Sequence, residues 1–110
     1  MFRGGMGNIN QLMKMAKQLQ MEATKLKEEI EKRDFIGTAG GGAVKVTVKG
    51  SGEVVSVEID PDLLQPEERE TLQDLIVVAV NQALKEARET MTKELEKITG
   101  GLGIDLGGLF

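Results

Sequence analysis

Val44-Lys45-Val46-Thr47-Val48-Lys49-Gly50-Ser51-Gly52-Glu53-Val54-Val55-Ser56-Val57-Glu58-Ile59-Asp60 is the stretch on which the fold turns. Val44, Val46 and Val48 alternate with Lys45, Thr47 and Lys49, and Val55, Val57 and Ile59 alternate with Ser56 and Glu58. Period two puts every second side chain on the same face, so each run reads as a half-buried antiparallel strand. Gly50-Ser51-Gly52 supplies the turn between them. Upstream, Phe35-Ile36-Gly37-Thr38-Ala39 is a weaker strand joined through Gly40-Gly41-Gly42. The three make a meander with one apolar face, which needs helices to cover it.

Both flanks of the meander are helical in pattern. On the N-terminal side, Asn8 with Gln11 matches a capping box and sets the expected helix start. Ile9, Leu12, Ala16, Leu19, Ala23, Leu26 and Ile30 then recur at spacings of three and four to about Lys32. This seam is narrow. It suits another helix better than a sheet, either within the chain or across a dimer. On the C-terminal side, Asp60-Pro61-Asp62 predicts a short helical turn, with Asp60 as its cap. Pro66 then opens a second long helix to about Thr99. Within it, Leu75-Ile76-Val77-Val78-Ala79-Val80 is apolar on every side of the cylinder. One side can cover the sheet. The rest needs a further surface, and Leu75, Val77 and Val78 are the expected dimer interface. The division is residues 1–7 as a flexible N-terminal arm, 8–99 as a single α+β domain, and 100–110 as a flexible Gly-rich tail.

Composition narrows the function. Among 110 residues there is no Cys and no His, and Ser occurs only as Ser51 and Ser56. Thiolate and imidazole chemistry, Zn sites with Cys or His ligands, and Ser–His nucleophiles are therefore absent from one chain. Gly37 and Gly42 have the gap of a phosphate-binding loop, but Ala43 stands where Lys is required and a strand follows instead of a helix. The expectation is no enzyme, no cofactor, no metal and no small-molecule substrate. No apolar stretch approaches the roughly 20 residues of a membrane span, and the N-terminus lacks the apolar core of a signal peptide. A cytoplasmic protein with no membrane partner is expected.

Net charge is −4, which argues mildly against nucleic acid, yet the distribution matters more. Residues 1–34 carry seven Lys or Arg against five acids, whereas residues 61–98 carry five against nine. Residues 1–21 hold Arg3, Lys14 and Lys17 and no acid. At about 100° per residue with Lys14 as zero, Lys17 falls at about −60°, Gln18 at about +40°, Met21 at about −20° and Lys25 at about +20°. The apolar seam lies opposite. An ordinary solvated helix face would look similar, since Lys and Gln are good helix formers.

The arrangement as a whole resembles the YbaB/EbfC family of bacterial nucleoid-associated proteins. The resemblance rests on the Met- and Lys-rich first helix (Leu12-Met13-Lys14-Met15-Ala16-Lys17-Gln18-Leu19-Gln20) and on Gly37-Thr38-Ala39-Gly40-Gly41-Gly42-Ala43-Val44-Lys45-Val46. It rests also on Val57-Glu58-Ile59-Asp60-Pro61 and on Leu75-Ile76-Val77-Val78-Ala79-Val80-Asn81-Gln82-Ala83. It covers almost the whole chain. It implies two helices flanking a three-stranded antiparallel sheet, and a tweezers-like homodimer with projecting helix ends. It further implies binding of double-stranded DNA in the nucleoid with loose sequence preference. Placing the contacts by charge geometry gives Arg3, Lys14, Lys17, Gln18 and Lys25, with Lys93 and Lys97 near the end of the second helix. The alternative is a protein-interaction adaptor for replication or recombination machinery with incidental DNA affinity.

Overall fold

The computed structural model describes residues 2–100, with side chains described for residues 9–98 and for Gly100. Of the expected tail over 100–110, residues 101–110 lie outside the described residues. The order of elements is α1 (Phe2–Glu31), β1 (Asp34–Ala39), β2 (Val44–Lys49), β3 (Val54–Ile59), two short 3-10 turns (Pro61–Leu64 and Pro66–Glu68), and α2 (Arg69–Thr99). This is the expected α+β arrangement. The strands form one antiparallel sheet in the order β1-β2-β3.

The first helix starts earlier than its capping box predicts: it runs from Phe2, six residues ahead of Asn8. Once a helix is nucleated, each added residue gains a hydrogen bond, so a capping pattern is a preference and not a stop. Residues 2–7 therefore continue α1. At its other end, the orphan carbonyls find partners in the β2–β3 turn. The Gly50 N–H donates to Arg33 O (2.9 Å) and the Ser51 N–H to Glu31 O (3.2 Å). The approach is close enough that a Cβ at position 50 would lie 2.0 Å from Ile30 O, so only Gly fits.

The sheet is two-faced, as its alternation predicts. Phe35 and Ala39 of β1 and Val44, Val46 and Val48 of β2 are buried. Lys45, Lys49, Thr47 and Thr38 occupy the other face, where Lys45 pairs with Glu58 (3.7 Å) and Lys49 with Asp34 (3.8 Å). Strand β3 departs from simple alternation. Thr47 pairs with Ser56 but Val48 with Val54, which leaves Val55 as an extra, bulged residue.

Helix α2 lies over β1 and β2. Its contact side is built from Ala79, Ala83 and Ala87, all buried, so the helix sits very near the strand. A Cβ at Gly37 would fall 2.0 Å from Ala79 O and 2.8 Å from Ala83 N. Asp60 caps the first 3-10 turn as expected, its carboxylate accepting from the Asp62 N–H at 2.9 Å. Because α2 meets Gly40 through Leu75 and Gly37 through Ala79 and Ala83, it runs toward the start of β1. That is where α1 ends. Beyond Ala87, α2 therefore continues alongside α1 in the opposite direction. Ala23 and Ile30 of α1 and Leu95 of α2 are buried here, with Leu26 and Met91 packed against the core. The chain measures 79 × 20 × 17 Å, a short body with a two-helix arm.

Candidate nucleic-acid interface

The arm is asymmetric. α2 stops at Thr99, whereas α1 reaches back to Phe2. The seam of α1 is consequently covered only in part. Ala23 and Ile30 are buried, Leu19 and Leu26 half-buried, but Ala16 is exposed and Ile9 and Leu12 are 55% and 61% exposed. The N-terminal half of α1 thus projects past its partner helix.

The basic stripe begins on this projecting part with Lys14 and continues along the outer face of α1 past Lys17 to Lys25, beside the stretch that packs on α2. Lys14, Lys17, Gln18 and Lys25 are all exposed. Together with Met21 and Glu22 they flank one shallow, open depression. Among the described residues, no acid lies within ion-pair distance of Lys14, Lys17 or Lys25. Arg3 belongs to the backbone of the same helix, in its first turn. The structure therefore brings Lys14, Lys17, Gln18 and Lys25 to one face.

The candidates on α2 differ. Lys97 is exposed, but its Nζ donates to Glu94 Oε1 at 3.1 Å, which cancels much of its charge locally. Lys85 is similarly placed 3.9 Å from Glu89. Lys93 is exposed on the same stretch of α2. The arm half of α2 holds Lys85, Arg88, Lys93 and Lys97 against Glu86, Glu89, Glu94 and Glu96, so it is close to neutral. The acidic surplus sits elsewhere. Asp60, Asp62, Glu67, Glu68, Glu70 and Asp74 face only Arg69 in the 3-10 turns and the start of α2. That is the Gly40 end of the body, away from the arm. Charge is therefore separated along the long axis, a feature that a sum over the whole second helix conceals.

The remaining candidates form an apolar surface on the body. Leu75 is half-buried, and its methyls sit over Gly40 in the chain's own core. Val77 and Val78 are 58% and 54% exposed. On the side of Val77 is a surface that sequence reasoning did not assign. β3 pairs only with β2 and is not covered by α2, so Val54, Val55 and Val57 remain exposed. The signal was present in principle: three alternating strands offer more apolar face than one alanine-lined helix can cover. The opposite edge of the sheet is closed, because the Thr38 N–H on the free side of β1 donates to Gln82 Oε1 (2.9 Å). At about 100° per residue, Val77 lies across the helix from Gln82 and hence toward β3.

Among the described residues, no group of acids, Cys or His is placed to hold a metal ion, and no helix is long and apolar enough to cross a membrane.

Comparison with known proteins agrees with this architecture. The chain is 49% identical to a nucleoid-associated protein of Thermoanaerobacter pseudethanolicus, covering 99% of this chain and 96% of the relative. It is 47% identical to a nucleoid-associated protein of Clostridium novyi, over 97% and 92% of the two chains. Among solved structures, an uncharacterized protein from Helicobacter pylori superposes with a TM-score of 0.67 at 28% identity, covering 81% of this chain and 94% of that one. The model of the YbaB/EbfC DNA-binding family matches residues 6–102. With its sheet, its two long helices and nearly its whole length accounted for, the chain belongs to the YbaB/EbfC DNA-binding family.

Proposed function

We propose that this chain acts as a homodimer that binds double-stranded DNA with little sequence specificity, through the basic face of its projecting first helix, in the nucleoid of the cytoplasm. The observation that carries the reading is the stripe of Lys14, Lys17 and Lys25 on one exposed face of α1, running from the part that extends beyond α2 down to the stretch packed beside it, with no acid at ion-pair distance among the described residues. Lys contacts phosphate as a point charge, so such a stripe fixes position on the backbone without reading bases. The charge separation favours the same orientation. The acidic end of the body is repelled by phosphate while the arm is drawn to it. Arg3 adds a positive charge from the first turn of the same helix, Gln18 adds a hydrogen-bond donor beside the stripe, and Lys93 contributes from α2. Lys97 contributes least, because Glu94 already holds it.

The uncovered β3 face and Val77 support the dimer. An apolar surface of this kind on a small body is stabilised by burial against a second copy. Val78 lies about 40° around the helix from Gln82, on the side away from β3, and Leu75 is held over Gly40 in the chain's own core, so of the three candidates Val77 is the one that flanks this surface. Two arms on one duplex then gain by effective concentration, which offsets the weakness of each. DNA titrations at rising salt test the function. Log K is expected to fall linearly with log salt, with a slope of about −0.9 for each phosphate neutralised. Exposed Ile9 and Leu12 on the arm favour the second reading, an adaptor for a protein partner. An adaptor would bind duplexes without that slope or not at all.

A further inference from the structure

Met21 stands in the midline of the basic stripe and has no role in phosphate binding. It is 65% exposed, a large apolar side chain between Lys17 and Lys25. Lys17 and Gln18 lie one turn before it and Thr24 and Lys25 one turn after, with Lys14 two turns away on the same face. Two shallow depressions meet at it. One is flanked by Lys14, Lys17, Gln18 and Glu22, the other by Gln20, Thr24 and Glu28, and both include Met21 and Lys25. Met21 is therefore the ridge of this face. Among the described residues, the other exposed methionines of the helix, Met13 and Met15, fall about 100° to either side of Lys14 and off the stripe.

An α-helix of about 10–12 Å fits the major groove of B-DNA, about 12 Å wide. In that groove, flexible lysines reach outward to the phosphates on the two rims. The ridge residue then faces the base edges. The thioether cannot hydrogen-bond usefully there, so the contact open to it is apolar, and the apolar group on the major-groove edge is the C5 methyl of thymine. Resting on the DNA-binding reading above, we infer that Met21 packs against thymine methyl groups in the major groove, giving an otherwise phosphate-bound arm a mild preference for A·T-rich duplexes.

The test compares two duplexes of the same sequence, one with thymine and one with uracil, which lacks only the methyl. Wild type is expected to bind the thymine duplex about four-fold tighter for each methyl buried. Met21→Gln, which keeps length and helix propensity, should bind both duplexes equally and with the wild-type salt slope. Met13→Gln should retain the wild-type ratio. Being surface substitutions, both should melt as wild type does. Equal, salt-dependent binding of the two duplexes by wild type would overturn the role of Met21 and leave the phosphate reading intact. A thymine preference that survives Met21→Gln would overturn it too. No binding of either duplex by wild type would remove the DNA reading and this inference with it.

Discussion

The body and the arm of this molecule are built from the same kinds of residue under different rules. In the body, small residues set the spacing: Gly37 and the alanines of α2 let a helix and a strand approach until no Cβ fits between them. In the arm, α1 outlasts its partner helix, and leucine and isoleucine at seam positions stay in solvent. The body also carries the acidic surplus at its far end, whereas Lys14, Lys17 and Lys25 of α1 have no acid at ion-pair distance among the described residues. The difference separates two jobs. Close packing holds the fold, and the loosely partnered extension is left free to meet something else.

The sharpest break of the comparison is at Gly37. By strand propensity, Gly37→Val should stabilise β1. By packing, the added Cβ has nowhere to go, because the obstacles are backbone atoms of α2. A loss of about 3 kcal/mol or more, or failure to fold, is expected in urea unfolding. Stability at or above wild type would mean that α2 does not lie against β1 as described.

Next is the uncovered face of the body. Val77→Glu places a charge on a residue already exposed in the single chain, so the chain should keep its helical signal. In a dimer that buries Val77, an unpaired buried charge costs several kcal/mol, and light scattering should then report a monomer. Val57→Glu should behave alike. Wild type running as a monomer at micromolar concentration would remove the interface.

Two leucines on the arm sharpen the contrast at smaller amplitude. Leu95 is 6% exposed and Leu12 largely solvated. Leu95→Ala should cost about 2–4 kcal/mol and Leu12→Ala under about 0.5 kcal/mol in urea unfolding. Equal losses would mean that Leu12 is covered, by a second copy or another segment. Smallest of all is a difference between lysines. Lys14→Gln should flatten the salt slope of DNA binding by about one unit, and Lys97→Gln by clearly less, because Glu94 already neutralises it.

Much of this was legible because it is local. The alternation of Val44, Val46 and Val48, the cap at Asp60 and the angular position of Lys14, Lys17 and Lys25 depend only on backbone periodicity, and the structure reproduces them. What was missed depends on where elements sit. The helix start moved from Asn8 to Phe2 because a cap pattern competes with propagation and does not forbid it. Val55 was read as part of a regular alternation, but pairing between separate strands inserts it as a bulge. The open face of β3 appears only when α2 is seen to cover two strands of three. Lys97 looked like Lys14 until the Glu94 carboxylate was placed beside it, although spacing of three on a helix already hinted at the pair.

The central claim is that the exposed basic face of α1 is the DNA-binding surface. Its most direct test is a triple variant, Lys14→Gln with Lys17→Gln and Lys25→Gln, first shown to melt as wild type does and then titrated with an unrelated duplex at several salt concentrations. The expected result is a large loss of affinity at low salt, with the slope of log K against log salt reduced by about three units for each arm engaged. A folded triple variant that binds with wild-type affinity and slope would contradict the claim.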